Sequence, residues 1–390
     1  MPPGALAVLA ASVVVAGCAY YVLVLVAAWG FRRRRSRRQP RGVLPSFSVL
    51  KPLAGAEPGL SGNLESFFQL EYPSFELLFA AREDSDPALA LARSLGARHS
   101  GKRTRAISVG EPPCANAKVH SLAQMTRIAS GDILVVSDSD ILAKPTLLRD
   151  LASEFQDEGV GVVTCPYRAE PGPSPWSRLE GLGMNTEFWS GVLASQMLAP
   201  MDFAVGPTMA VRRSCLESIG GWEAFGAYLA EDFQIGRRAR EAGFGVRLST
   251  HVVAHRIGSA SFAANFAHRL RWRRSTRRSR PAGYWGELLA NPLPWTLVLL
   301  PAASWAGWSW WVFGACAALR FAAAVTVGRV VLGDRLVIRR WWLVPIQDIL
   351  SLAMWFAGLF GRRIAWRDRE YELTQDGRMR RIGCARDGDR

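Results

Sequence analysis

Two carboxylates stand one residue apart in "ILVVSDSDI", where Asp138 and Asp140 follow the apolar run 133–136. The run reads as a buried strand. In an extended chain, side chains i and i+2 point the same way, so the two charges repel unless a cation lies between them. A hard divalent cation suits the pattern, since it takes one or two carboxylates and completes its shell with phosphate oxygens. A turn capping the next helix suits it too, because Asp is a favoured cap. Spacing alone leaves both readings open. Other clusters strengthen the first. "REDSDP" brings Glu83, Asp84 and Asp86 to another strand end, and "YLAED" brings Glu231 and Asp232 after a stretch of small residues. "HRLRWRRSTRRSRP" places Arg271 and Trp272 just before a second apolar region. Singly, these are turn residues, a helix N-terminal pair and an interface charge.

The elements that must hold these groups alternate. "FSVLKPL", "FELLFAA", "AISV", "DILVVSD" and "GVGVVTCPY" read as strands. "GLSGNLESFFQL", "PALALARSLGA", "NAKVHSLAQMTRIA" and "PTLLRDLASEF" have helical spacing, and Pro87 opens the second of them. Such alternation predicts an α/β fold with a mostly parallel sheet, whose ligands bind beyond the carboxyl ends of the strands. His251 and His255 in "THVVAH" alternate like a strand and read as structural.

The flanks differ from this centre. The 390 residues are 49% hydrophobic, with 15 Trp and a net charge of +15. Apolar and basic together indicate a membrane protein with its basic side in the cytoplasm. The six Cys, at 18, 114, 165, 215, 316 and 384, show no CxxC, which fits a reduced compartment. Residues 5–28 carry no charge and are followed at once by "FRRRRSRRQPR". That order predicts an anchor with its N-terminus outside, as roughly 20 apolar residues cross a bilayer. The arginine run reads as a topology signal against lipid phosphates rather than a nucleic-acid site. Residues 291–360 hold two helices and a third, "WWLVPIQDILSLAMWFAGLF", with Arg320 and Arg329 marking a helix end, a snorkelling face or a polar site. Three crossings would put the tail outside, whereas its arginines argue for inside. A re-entrant or interfacial segment would resolve this.

The order "SVLKPL…NLESFFQLEYPSFELLFAAREDSDPA…NAK…SDSD…AEDF…HRLRW", over about 44–272, resembles the ceramide glucosyltransferase family. This is glycosyltransferase family 21, within the family-2-like enzymes, and it includes a bacterial branch that glycosylates hopanoids. The resemblance implies a GT-A (Rossmann-like) catalytic domain at 42–285 between an anchor at 5–30 and C-terminal membrane helices at 286–361, with a basic tail at 362–390. It implies an inverting transfer of one hexose, glucose or N-acetylglucosamine, from a UDP-sugar to a lipid hydroxyl of ceramide or a hopanoid polyol (bacteriohopanetetrol), with Mg²⁺ or Mn²⁺. Asp138, helped by Asp140, would hold the metal. Asp84, Asp86, Lys118 and Asp138 would meet the nucleotide sugar, and a solvated helix lysine is the plain alternative for Lys118. Asp232 would be the general base. Arg271 and Trp272 belong to the family's last motif, in which His268 replaces the usual first residue. "GLGMNTEFWSGVLASQMLAPMDF", near 182–205, would be an interfacial segment guiding lipid. The implied place is a bacterial inner membrane with the catalytic domain cytoplasmic and no nucleic-acid partner. The rivals are a processive polysaccharide synthase, which usually needs more crossing helices, and a non-catalytic basic membrane protein. Release of uridine diphosphate with and without lipid separates them.

Overall fold

A computed structural model describes residues 3–35, 44–366 and 369–382. The end of the arginine run, Cys384 and the last part of the basic tail lie outside the described residues. The chain forms two compact units. A sheet unit comprises Arg38–Tyr167, Met201–Arg256 and Gly361–Arg390, and a helical unit comprises Met1–Arg37, Arg168–Pro200 and Ile257–Phe360. The 168–200 stretch therefore groups with the apolar helices, and the tail groups with the sheet.

The seven strands of the sheet run in the order 103–108, 75–81, 47–52, 133–137, 208–212, 160–164 and 245–248. The first four are mutually parallel, and Thr208–Arg212 is antiparallel to both of its neighbours. The nearly continuous apolar run Ile133–Ser137 suits a strand covered on both faces. The helix Pro87–Arg98 starts at an Asp86 cap followed by Pro87. Asn116 caps the helix Ala117–Ile128, accepting from the amides of Lys118 and Val119. Glu231 and Asp232 occupy the first turn of the helix Glu231–Glu241, where the helix dipole favours acidic groups.

The described tail is a three-stranded antiparallel meander, Arg363–Trp366, Arg369–Leu373 and Met379–Arg381. Its apolar residues Ile364, Tyr371, Leu373 and Met379 form a small core with Ala115 and Leu229 of the same unit.

In the helical unit, Gly4–Arg34 (31 residues, mean hydropathy 2.4) and Gly307–Val331 (25 residues, mean hydropathy 1.6) are long and apolar enough to cross a bilayer. Pro292–Ala302 and Leu343–Gly358 are shorter. Arg320 forms a buried two-pronged pair with Asp348, at 2.7 and 2.8 Å, so it occupies a polar site. Arg329 is exposed near a helix end and lines an open cleft with Arg32. The segment read as interfacial is the helix Pro175–Gly183, a π-helical turn Met184–Phe188 and the helix Trp189–Leu198. The turn carries buried polar groups, Asn185 and Thr186, so its inner face is not simply apolar.

Candidate active site

The strand Ile133–Ser137 delivers Asp138, Ser139 and Asp140 from full burial to half-exposure. Asp138 Oδ1 lies 2.8 Å from Lys118 Nζ, and the same ammonium lies 3.0 Å from Glu231. Lys118 thus joins a carboxylate at a strand end to one in the first turn of another helix. Asn116 assists at that junction, its amide donating to Glu231 at 3.1 Å and to the Tyr228 carbonyl at 2.9 Å. Burial works against the Lys118 charge, but Asp138 and Glu231 outweigh it and hold its pKa above the usual value. Burial raises the Asp138 pKa, and the neighbouring Asp140 charge adds to the rise while Lys118 opposes it.

Asp140 faces His255 Nε2 at 3.0 Å. Burial would raise its pKa, but the imidazole and then Lys51 hold it below the usual carboxylate range. His255, read as structural, is in fact in contact with the metal candidate. Lys51 Nζ donates to the Asp138 carbonyl at 2.6 Å and sits 3.8 Å from the Phe67 ring centre. Burial lowers its pKa to about 7 although Asp138 and Asp140 attract its proton. Sequence reading passed over Lys51. Its signal was a charged residue inside the otherwise apolar strand "FSVLKP".

Asp232 is half-buried, and its Oδ1 accepts from the Phe233 amide at 2.8 Å. Burial, then the Glu231 charge, raise its pKa to about 7. A side chain at Gly206 would reach within 2.8 Å of the other Asp232 oxygen, so only glycine leaves this carboxylate its place. Glu231 is buried and committed to Lys118 and Asn116.

Asp84 is exposed and pairs with Arg93. Asp86 caps its helix through the Ala88 amide at 2.8 Å and accepts from the Gly55 amide at 3.0 Å, tying together the loops after the first two strands. His268, Arg271 and Trp272 belong to the helix Phe262–Ser279 of the helical unit. There His268 Nδ1 lies 2.5 Å from the buried Glu180, and its ring sits 4.7 Å from that of Trp272. Glu180, which also takes hydrogen bonds from Ser259 and Asn265, was not anticipated. A lone glutamate at a helical position carries no sequence signal.

Among the described residues no group of three or more His, Cys, Asp or Glu side chains gathers to hold a metal. Asp138 and Asp140 supply two carboxylates, and Asp140 Oδ1 is buried without a hydrogen-bond partner. Two carboxylates suit a cation whose shell is completed by phosphate oxygens and water, so the residues present fit such an ion.

A mostly parallel sheet with acidic residues beyond the carboxyl ends of two of its strands has the layout in which α/β folds bind their ligands. The family model for Glycosyl transferase family 21 matches residues 9–379, and the chain belongs to that family. Ceramide glucosyltransferase 1 of Caenorhabditis elegans is 29% identical over 255 residues, covering 65% of this chain and 54% of that protein. A beta-monoglucosyldiacylglycerol synthase of Trichormus variabilis is 22% identical over 263 residues, covering 67% and 55%. The chain spans about half the length of the curated relatives it matches. Among solved structures, a mannosyltransferase from Pyrobaculum calidifontis in complex with GDP-Man and Mn²⁺ superposes with a TM-score of 0.52 at 18% identity, covering 91% of this chain and 99% of that one. The fold is GT-A-like.

Proposed function

We propose that the protein is a membrane-bound inverting glycosyltransferase that moves one hexose, glucose or N-acetylglucosamine, from a UDP-sugar to a lipid hydroxyl. Ceramide and a hopanoid polyol are the acceptors proposed. The observation that carries this reading is the convergence in one unit of the Asp138/Asp140 pair, Lys118 and the carboxylates Glu231 and Asp232. Family membership supports it. The apolar helices Gly4–Arg34 and Gly307–Val331 support membrane attachment, with the sheet unit on the cytoplasmic side.

Asp138 and Asp140 would hold a divalent cation, Mg²⁺ or Mn²⁺, which when bound neutralises charge on the diphosphate leaving group. Lys118 adds a fixed positive charge at the same place. Asp84 and Asp86 meet the nucleoside. Asp232, with a proton affinity matched to neutral pH, removes the proton from the attacking lipid hydroxyl. The hydroxyl oxygen attacks the anomeric carbon from the face opposite the diphosphate. One bond forms as the other breaks, and the centre inverts. Glu231 is the weaker candidate for the base because Lys118 already holds it. His268, Arg271 and Trp272 are proposed to act on the acceptor or leaving group.

The test is release of uridine diphosphate by the purified full chain in nanodiscs, with UDP-glucose or UDP-N-acetylglucosamine, with and without ceramide or bacteriohopanetetrol. Release that requires a lipid acceptor, together with a new glycolipid by mass spectrometry, supports the reading. No acceptor-dependent release with any pair overturns it.

A further inference from the structure

We propose that the C-terminal meander is a positioning element of the reaction site. It braces the loop 226–230 and, through Asn116, keeps Glu231 and Lys118 in register with Asp138. This inference rests on the function proposed above.

The loop between the short helical turn Trp222–Phe225 and the helix Glu231–Glu241 has almost no regular structure of its own. Three successive backbone carbonyls in it are nevertheless taken. Gly226 accepts from the Asn116 amide at 2.9 Å, Ala227 from the Met379 amide at 2.7 Å, and Tyr228 from the Asn116 side chain at 2.9 Å. The middle bond comes from the tail. Tyr228 and Arg378 form an antiparallel bridge, and the Arg378 Nε donates to the Tyr228 hydroxyl at 3.2 Å. The tail grips the other loop as well. Arg369 pairs with Glu111 at 2.7 Å, and the Tyr371 hydroxyl donates to the Ala115 carbonyl at 3.4 Å. Between these contacts Tyr371, Leu373 and Met379 bury their side chains with Ala115 and Leu229.

The two loops so held are those that launch the site. Ala115 precedes Asn116, the cap of the helix that carries Lys118. Leu229 precedes the turn that carries Glu231 and Asp232. A single Asn116 amide group spans both, because its Nδ2 bonds the Tyr228 carbonyl and Glu231 together. Movement of the loop therefore moves the partner of Lys118, and a buried polar network that is only partly satisfied is costly. Misplacement of reacting groups by about 1 Å lowers rates by about 10². Tyr228, Arg378 and Met379 are thus positioning residues, acting through Asn116 and Glu231 without touching substrate themselves.

A tail that merely adds stability would give the same contacts, so the test needs a readout that stability alone does not move. The full chain in nanodiscs is compared as wild type, Met379→Ala, Met379→Leu and Arg378→Met. Arg378 is exposed, so its replacement spares the core of the fold. Three quantities are measured: the transfer rate per folded molecule, the midpoint of its pH profile, and amide hydrogen exchange across 226–232. For Met379→Ala and Arg378→Met we expect a rate loss of about tenfold or more. The pH midpoint should move by about half a unit or more, since the proton affinity of Asp232 depends on where the Glu231 charge sits. Exchange across 226–232 should quicken, and Met379→Leu, which keeps the volume, should restore all three. A wild-type pH midpoint with wild-type exchange in both defective variants would overturn the brace. If the wild type transfers no sugar, the proposed function fails by itself. The exchange arm then decides the brace alone: faster exchange supports it, and unchanged exchange overturns it.

Discussion

Lys118 Nζ lies 2.8 Å from Asp138 Oδ1, an ion pair that joins the end of the central strand to the start of a helix. The same ammonium serves Glu231, so one cation balances a carboxylate at the strand end and one in the first turn of a second helix. Replacing Lys118 by Met leaves both charges without their partner. Removing one member of a buried pair costs about 3–5 kcal/mol, so a lower melting temperature and weaker uridine diphosphate binding should appear together in calorimetry. An unchanged melting temperature would show that the pair is solvated in solution.

Asp138→Asn should weaken Mn²⁺-dependent binding of uridine diphosphate as well as turnover. Asp140→Asn should do so more mildly, because Asp140 is already shared with His255. Isothermal titration with and without Mn²⁺ checks this. Metal-dependent binding at wild-type strength in Asp138→Asn would remove that residue from the ligand set.

Asp232→Asn should bind donor normally and lose about 10²–10⁴ in transfer rate, the usual contribution of a general base. Glu231→Gln should differ in kind, since it strips Lys118 of a partner and lowers stability. If Glu231→Gln is inactive but stable while Asp232→Asn transfers sugar, the base has been assigned to the wrong carboxylate.

The pH dependence follows from the same residue. A base must be deprotonated to act, so transfer should rise as pH climbs through about 7 and then level off. Stability moves the other way. The Asp232 pKa is raised in the folded state, so between its ordinary value near 4 and about 7 the folded chain holds the proton more firmly than the unfolded chain. That contribution is present at low pH and is lost as pH rises through 7. Asp232→Asn, which cannot ionise, should therefore melt above the wild type at pH 8 and close to it at pH 4. A melting difference independent of pH would contradict the raised proton affinity.

The meander shares a compact unit with the sheet, so the tail and the sheet should lie on one side of the membrane. The number of crossings between 256 and 361 should then be even, which would put one of the three C-terminal apolar segments at the interface. Leu343–Gly358 is the candidate, since it carries buried polar groups at Gln347, Asp348 and Ser351. In a background without native cysteines, Asp376→Cys and Asp84→Cys should react with an impermeant thiol reagent from the same side. Labelling from opposite sides would refute the assignment.

Much of the sheet could be read from local patterns. Burial on both faces leaves a strand as an unbroken apolar run, and Ile133–Ser137 declares itself that way. Pro87 and the acidic pair at 231–232 mark helix starts because unsatisfied amides and the helix dipole select those residue types at those positions. The paired carboxylates at 138 and 140 were visible because their repulsion is a local fact that needs an explanation wherever the chain goes.

The sequence by itself determined the alternation of strands and helices, the apolar flanks, and the acidic pairs at strand ends, since each depends on residues a few positions apart. Tertiary structure alone decided the partners. Asn116 and Glu231 meet across 115 positions, and Asp140 meets His255 across 115 positions as well. Arg320 finds Asp348 28 positions away, on another helix of its unit. A basic tail became a sheet because Tyr371, Leu373 and Met379 could bury their apolar faces only once Ala115 and Leu229 had been brought to one place. Such pairings carry no periodic signal. The cost of an unpaired buried charge or an uncovered apolar face selects them, and that cost exists only after the chain has folded.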